Sequence, residues 1–150
     1  MKKTQACILT NICMIYDGDR ILVVDRKKKD WPGLTFPGGH VEKQENFHES
    51  VIREVKEETG LTIKKPILCG IEEFKTKDED RYIMLYYKTD RFSGKIRSSA
   101  EGEVFWVNRE DLGKYKLSLD LKRIMKIMES DELNELIYYD DKGKWRSKIV

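Results

Sequence analysis

One segment, residues 36–63, constrains the fold most strongly, because its own residues define where a helix begins and ends. Asn46 is a suitable N-cap, and Glu49, three residues later, completes a capping box. Gly60 occupies the position at which a left-handed C-terminal cap is favoured. Together these signals predict a helix over residues 47–59.

The predicted helix is amphipathic, with one apolar stripe and one acidic edge. At 100° per residue, the apolar stripe contains Phe47, Val51, Ile52 and Val55. Such a stripe needs an apolar surface to cover it, and strand-like sequence lies on both sides of the helix. We therefore expect the helix to dock on a β-sheet.

The rest of the chain alternates between turn signals and short apolar runs that are typical of strands. These runs predict strands at residues 4–16, 21–24, 67–74, 82–87 and 104–107, with the first two forming a hairpin, and a terminal hairpin at 137–145. Residues 31–33, Trp-Pro-Gly, favour a shaped loop over regular structure. A second helix is predicted by apolar residues at helical spacing: Leu117, Leu121, Ile124, Met125 and Met128. This mixture indicates one α/β domain over residues 1–150.

Charge and hydropathy exclude several classes of partner. The chain has 29 Lys and Arg against 27 Asp and Glu, a net charge of +2, so we expect no stable DNA binding. It contains neither an apolar run long enough to span a membrane nor a signal-peptide core. We therefore expect a cytoplasmic protein with no membrane partner.

The acidic edge of the first helix carries Glu54, Glu57 and Glu58. Glu54 precedes the other two by three and four residues, spacings at which each like-charged pair costs roughly 0.2–0.5 kcal/mol. Arg53 neutralises part of this charge, and a divalent cation between the carboxylates would do so more completely. Mg²⁺ suits such a site because it prefers oxygen ligands and commonly joins carboxylates to substrate phosphates.

The residues around this helix resemble a complete Nudix box. Gly39 is followed after five residues by Glu45, and after seven more by REVKEETGL at 53–61. The consensus G-x5-E-x7-R-E-U-x-E-E-x-G-U, in which U is a bulky aliphatic residue, is met at every position. The resemblance implies the family's α/β/α sandwich with a mixed β-sheet. It also implies hydrolysis of a nucleoside diphosphate linked to another group.

The resemblance further implies a role for each conserved position of the box. The implied ligands of Mg²⁺, or of Mn²⁺ in its place, are Glu54, Glu57, Glu58 and the carbonyl oxygen of Gly39. Arg53 would orient the glutamates, and Glu45 would assist from the loop. The adjacent glycines 38 and 39 fit these roles, since they allow the backbone to approach closely.

The general base is open between a glutamate of the box and one on a distant loop, because Nudix proteins differ in this respect. Glu57 is our first candidate, since a carboxylate near the metal site is suited to accept a proton from water. Glu101 and Glu103 precede the 104–107 strand and are the loop candidates. Both could equally be solvated loop acids.

A second, weaker resemblance indicates the class of substrate. The length and the sequence WPGLTFPGGHVE at 31–42 are most similar to the MutT-like subgroup. That subgroup converts oxidised purine triphosphates such as 8-oxo-dGTP to monophosphate and pyrophosphate. The proline typical of ADP-ribose hydrolases does not follow the box at its usual distance, which weakens that alternative.

Candidate contacts to the nucleotide substrate come from several segments: Arg26, Phe36, Gly38, Gly39, Asn108 and Asp120. Arg26 is suited to bind phosphate oxygens. Phe36 either flanks a base or anchors its loop. Asn108 or Asp120 is suited to read a base edge, although Asp120 equally fits an N-cap or surface role.

Two other functions remain open at this stage. One retains the chemistry and changes the substrate to a dinucleoside polyphosphate, a nucleotide sugar or an RNA 5′ end. The other is a regulatory module that binds nucleotides without turnover, which the complete set of box residues argues against. A monomer and a homodimer are both compatible with the sequence.

Overall fold

The computed structural model describes residues 3–150 and contains, within that range, eleven β-strands and two α-helices. The strands are β1 Cys7–Asp17, β2 Arg20–Arg26, β3 Gly33–Thr35, β4 Gly38–His40, β5 Thr62–Ile63, β6 Ile67–Lys75, β7 Arg81–Thr89, β8 Phe92–Ser93, β9 Gly102–Asn108, β10 Glu135–Asp141 and β11 Lys144–Ile149. The helices are α1 Phe47–Thr59 and α2 Leu121–Met128, and a 3-10 helix spans Arg109–Lys114. In this part of the chain, neither α-helix is long and apolar enough to cross a membrane.

Nine strands form one mixed sheet, whose order is β11-β10-β6-β7-β1-β2-β3. Strand β4 also pairs with β1, and β9 also pairs with β2. The β1–β7 and β6–β10 pairs are parallel, and the other pairs are antiparallel. Strand β1 is therefore central, because β7 pairs along one edge of it while β4 and β2 pair with successive parts of its other edge. Strands β5 and β8 form a separate two-stranded sheet.

The two helices cover opposite faces of this sheet. Cys13 and Ile15 of β1 pack in one buried cluster with α1. Ile12 and Met14, which point to the other face, pack in a second cluster with α2. The alternation along a single strand produces two cores, and the predicted α/β/α arrangement with a mixed sheet is confirmed.

Helix α1 begins and ends where its capping residues predict. The Asn46 side chain accepts a hydrogen bond from the Glu49 backbone N–H at 2.8 Å, and the Glu49 carboxylate accepts one from the Asn46 backbone N–H at 3.3 Å. Gly60 is left-handed, with φ of 83°, and its N–H donates to the Lys56 carbonyl oxygen at 3.0 Å. The capping box and the glycine cap therefore fix this helix locally.

The loop predicted at residues 31–33 is largely confirmed, because Trp31 and Pro32 lie outside regular structure and only Gly33 belongs to a strand, β3. One local prediction is wrong. Leu117 was predicted to lie on the second helix, but it precedes that helix and bridges to Leu34. Asp120 has φ of 61°, which is incompatible with a continuous helix, so α2 begins only at Leu121.

Candidate active site

The two glycines of β4 bring backbone close to the acidic edge of α1. The Gly38 N–H donates to Glu58 Oε2 at 3.2 Å. A Cβ on Gly39 would overlap the Glu54 carboxylate, and one on Gly38 would overlap the carbonyl oxygen of Asn11. Only glycine fits at both positions without displacing these groups, which explains the close backbone approach predicted for this turn.

Helix α1 is also tied to the central strand through a buried side-chain contact. Asn11 Nδ2 donates to Ser50 Oγ at 2.9 Å, and both residues are buried. Since α1 carries the acidic residues and β1 pairs with β4, this hydrogen bond fixes the carboxylates relative to the glycines.

Arg53 connects the acidic residues of the site. Its guanidinium donates to both Glu45 oxygens, from Nη2 at 2.6 Å and from Nε at 2.8 Å. Its Nη1 atom donates to Glu54 Oε1 at 2.9 Å and to Glu57 Oε2 at 3.1 Å, and Nη2 donates to the His40 carbonyl oxygen at 3.0 Å. The hydrogen bonds from Arg53 lower the pKa of Glu45 to about 2. This geometry fits the orienting role of Arg53 and the supporting role of Glu45.

Two carboxyl groups differ from the rest of the cluster because they are desolvated. Burial, together with the neighbouring charges of Glu54 and Glu101, raises the pKa of Glu58 to about 8 against the opposing effect of the Gly38 hydrogen bond. Burial also raises the pKa of Glu54, against the opposing effect of Arg53. Buried carboxyl groups of this kind are suitable ligands for a divalent cation, because the cation would stabilise their ionised forms.

The side chains predicted as metal ligands do not by themselves form a complete set in this structure. Within residues 3–150, no three His, Cys, Asp or Glu side chains are arranged as a ready metal-binding group. Glu54 and Glu58 both line the same cavity beside Gly39. Glu57 is instead directed to Arg53 and leaves 58% of its side chain exposed. The residues present fit Mg²⁺ if Glu57 rotates toward Glu54 and Glu58.

A cavity of about 460 Å³ extends from these carboxylates along the sheet. The predicted site residues that line it are Arg26, Phe36, Gly38, Gly39, Glu54, Glu58 and Glu101. Phe36 is buried in the α2-side core, which fits the anchoring alternative, and it also lines the cavity. The cavity therefore places an arginine, an aromatic ring and the carboxylates around one volume.

Three polar atoms of cavity-lining residues are buried without a hydrogen-bond partner in the described chain: Asn11 Oδ1, Arg26 Nε and Trp31 Nε1. Buried polar groups are nearly always paired in folded proteins, so unpaired ones call for a specific explanation. A polar molecule bound in the cavity would supply the missing partners, with acceptors for the two N–H groups.

Glu101 and Glu103, the two loop candidates for the general base, lie in different surroundings. Glu101 lines the main cavity and, with Glu54, Glu57 and Glu58, a smaller one of about 210 Å³. Lys28 Nζ pairs with Glu101 Oε1 at 2.9 Å. Glu103 is exposed on β9 opposite Asp25 and lines neither cavity. Of the two, Glu101 is placed near the cluster.

Comparison with known proteins identifies the family. Residues 9–127 match the NUDIX domain. The chain belongs to the Nudix family. It is 32% identical over 105 residues to an uncharacterised Nudix hydrolase, YvcI, of Bacillus subtilis, a match that covers 67% of this chain and 65% of that relative. It is 31% identical over 118 residues to an ADP-ribose pyrophosphatase of Methanocaldococcus jannaschii, covering 75% of this chain and 68% of that relative.

The fold has close structural counterparts among Nudix proteins. The crystal structure of a MutT protein from Bacillus halodurans superimposes with a TM-score of 0.77 and 23% sequence identity, covering 95% of this chain and 97% of that one. The similarity shows that the fold is shared almost end to end. The terminal β10–β11 hairpin, however, lies beyond the residues that match the NUDIX domain itself.

The two residues predicted to read a base edge do not line the Nudix cavity. Asn108 is exposed at the end of β9, opposite Arg20 and away from Arg26 along β2. Asp120 occupies the N-cap position of α2, but its side chain forms no capping hydrogen bond and instead accepts one from the Tyr138 hydroxyl. The structure therefore does not bring either residue together with the carboxylates.

Several cavity residues were missed by sequence reasoning. Thr10 and Asn11 come from β1, and Tyr82 and Met84 come from β7. Each looks like an ordinary strand residue, because nothing local indicates that β1 and β7 are parallel neighbours. Their only sequence signal is alternation, which places Thr10 and Asn11 on opposite faces of β1 and Tyr82 and Met84 on one face of β7, but does not show which cavity either face borders.

Proposed function

We propose that this Nudix protein hydrolyses pyrophosphate bonds in nucleotide derivatives with the help of Mg²⁺ or Mn²⁺. Its substrate is a nucleoside triphosphate, in particular an oxidised purine such as 8-oxo-dGTP, which it converts to monophosphate and pyrophosphate. The observation that carries the proposal is the single cavity that contains Glu54, Glu58, Arg26 and a wall of aromatic and apolar side chains. A triphosphate and a nucleobase require these two kinds of surface side by side.

In this proposal, residues in different parts of the cavity have different roles. Arg26 lines the cavity with a buried, unpaired Nε, and in this proposal it donates to phosphate oxygens. Arg53 holds Glu54 in place, and Glu58 with the Gly39 carbonyl completes a set of oxygen ligands. When bound, the divalent cation supplies charge neutralisation of the diphosphate and activation of water.

Glu57 and Glu101 are the two candidates for the general base. Glu57 is held by Arg53 beside the ligands, and Glu101 reaches the same small cavity from the opposite loop. Glu101→Gln tests the loop candidate directly, because loss of the base lowers kcat by orders of magnitude without changing the fold. Glu57→Gln removes an implied metal ligand as well, so a retained kcat excludes Glu57 as the base, whereas a loss that higher Mg²⁺ concentration restores assigns it to metal binding. Glu103→Gln is the matched control, since Glu103 is an exposed acid on the same segment.

ADP-ribose hydrolysis is the second candidate function. It is favoured by the Methanocaldococcus jannaschii relative, an ADP-ribose pyrophosphatase with 31% identity over 75% of this chain. The products distinguish the two candidates, since ADP-ribose gives AMP and ribose 5-phosphate whereas a triphosphate gives pyrophosphate.

The decisive experiment incubates the protein and Mg²⁺ with ordinary and oxidised nucleoside triphosphates, dinucleoside polyphosphates and ADP-ribose. Monophosphate and pyrophosphate are measured separately. We expect pyrophosphate release with a preference for 8-oxo-dGTP, and loss of release in Glu58→Gln but not in Glu103→Gln. Preferential cleavage of ADP-ribose would refute the triphosphate assignment. No cleavage of any compound with Mg²⁺ or Mn²⁺ would favour a nucleotide-binding module.

A further inference from the structure

An ion pair joins two separate segments that line the main cavity. Lys28 lies in the loop between β2 and β3, and its Nζ is 2.9 Å from Oε1 of Glu101, in the turn before β9. The two residues are 73 positions apart in the chain, and both line the cavity. Lys28 therefore connects the β2–β3 loop to the turn that carries a candidate general base.

The two partners of this ion pair differ in how firmly they are held. Glu101 lies in a tight turn, in which Ser99 and Gly102 exchange backbone hydrogen bonds of 3.3 and 3.2 Å, and its own N–H donates to Ser99 Oγ at 3.2 Å. A Cβ on Gly102 would overlap the Asp25 carbonyl oxygen, so the turn packs directly against β2. The Lys28 side chain is 52% exposed and carries its charge on a flexible four-carbon stem. The backbone of Glu101 is therefore fixed, whereas the Lys28 ammonium group is able to move.

Glu101 lies between a cation and a group of acids. On one side it contacts Lys28, and on the other it lines the smaller cavity together with Glu54, Glu57 and Glu58. The Lys28 ammonium offsets the negative charge that Glu101 adds to these three acids. While the ion pair persists, Oε1 of Glu101 accepts a hydrogen bond from Lys28 and is not free to accept a proton from water.

The ion pair is one that a phosphate group is able to break. Both side chains are partly exposed, and ion pairs in such positions contribute little to stability. The phosphates of a nucleoside triphosphate carry several negative charges and many acceptor oxygens, against the single charge of Glu101, and they form strong charge-assisted hydrogen bonds with lysine. A triphosphate in the cavity that Lys28 lines would therefore compete with Glu101 for the ammonium group.

We propose that Lys28 is a positioning residue that holds Glu101 in the free protein and releases it when the phosphates of the substrate enter the cavity. This role rests on the proposed function, with Glu101 as its general base. Lys28 then donates to oxygens of the departing pyrophosphate, and Glu101 takes a proton from the attacking water. The oxygen of that water bonds to the α-phosphorus, the anhydride bond to the β-phosphate breaks, and pyrophosphate leaves with the bonding electrons. The base is thus available only when the cavity is occupied.

The test measures KM and kcat for hydrolysis of 8-oxo-dGTP with Mg²⁺. Lys28→Met is expected to raise KM about tenfold through loss of a charge-assisted hydrogen bond, and to leave kcat within about twofold, because Glu101 no longer needs to be released. Lys28→Arg keeps a cationic donor and should restore most of the KM. Lys29→Met is the matched control, since it removes the same charge from the neighbouring exposed lysine, which is outside the ion pair.

Binding without turnover provides a second measurement. Calorimetry with Mg²⁺ gives the Kd of a triphosphate whose bridging oxygen between the α- and β-phosphates is replaced by a methylene group. Lys28→Met should raise this Kd about tenfold. Glu101→Gln should lower it severalfold although it lowers kcat by orders of magnitude, because Lys28 then binds phosphate without first leaving a carboxylate. Adding Lys28→Met to Glu101→Gln should abolish that gain.

Three results would overturn the proposal. A lower kcat with an unchanged KM in Lys28→Met would show that Lys28 must stay on Glu101 during the reaction. Unchanged values of both constants would leave only a surface ion pair, and a retained kcat in Glu101→Gln would remove the base that is released. Cleavage of ADP-ribose in place of triphosphates refutes only the proposed function, and a raised KM with retained kcat for ADP-ribose in Lys28→Met then supports the release. If no compound is cleaved, the proposed function fails, and a Glu101→Gln variant that binds the methylene analogue no more tightly overturns the release as well.

Discussion

Replacing Glu72 with glutamine is expected to make the protein more stable at neutral pH. Glu72 lies on β6 with 3% of its surface exposed, and the Tyr86 hydroxyl donates to its Oε1 at 3.0 Å. Burial raises the pKa of Glu72 to about 7 from an ordinary value of 4.5, and the negative charge of Asp120 adds to the effect. Glutamine retains an acceptor for Tyr86 and has no proton to lose.

The sign and the size of this change in stability follow from the linkage between protonation of Glu72 and folding. Below pH 4.5 the Glu72 carboxyl is protonated in both the folded and unfolded states, so its ionisation costs no stability. As the pH rises to about 7, only the unfolded state ionises freely, and the free energy of unfolding falls by about 1.4 kcal/mol per pH unit. The full loss is on the order of 3 kcal/mol, reached near pH 7 to 8.

Urea unfolding at several pH values between 4.5 and 8 measures this difference. The free energy of unfolding of Glu72→Gln minus that of the wild type should increase across the range by on the order of 3 kcal/mol. Glu132→Gln removes the same charge from an exposed position and should give a nearly constant difference. A constant difference for Glu72→Gln as well would refute the assignment of a raised pKa to this residue.

Three further substitutions test the site, and a fourth tests the N-cap of α1. Gly39→Ala should abolish most hydrolysis while the protein stays folded by circular dichroism, because the added Cβ overlaps the Glu54 carboxylate. Arg53→Ala should lower kcat at least about tenfold, since three carboxylates lose their common donor; an unchanged kcat would exclude the orienting role. Arg26→Ala should raise KM more than it lowers kcat, and equal effects would argue against phosphate binding. Asn46→Ala should cost about 1 kcal/mol in urea unfolding through loss of the helix cap.

The parts of the site that follow from local residues were predictable from the sequence. Asn46, Glu49 and Gly60 define α1 through contacts within a few residues, and the observed helix has the predicted bounds. These contacts are between neighbours in the chain, and a sequence shows such neighbours directly. The approach of Gly39 to Glu54 depends in addition on the pairing of β4 with β1, and the sequence indicated it only through the glycine pair and the resemblance to the Nudix box.

The parts that depend on strand pairing were not predictable. Tyr82 reaches the cavity because β7 lies parallel to β1, a relation between segments some 70 residues apart in the chain. Asn108 and Asp120 were chosen for hydrogen-bonding capacity alone, and register places Asn108 at the far end of β9. Alternation assigns a residue to a face of a sheet, but only the order of the strands decides which residues on that face become neighbours.

The structure also changes the reason for expecting a cation at α1. Repulsion among Glu54, Glu57 and Glu58 suggested one, and Arg53 contacts the first two directly and offsets part of their charge. Glu58 has no such partner: its contact is the neutral Gly38 N–H, and burial holds its pKa well above the ordinary range. In the proposed function, a bound cation would chiefly stabilise the ionised form of Glu58, so we expect Glu58→Gln to weaken metal binding more than the same change at Glu54 or Glu57.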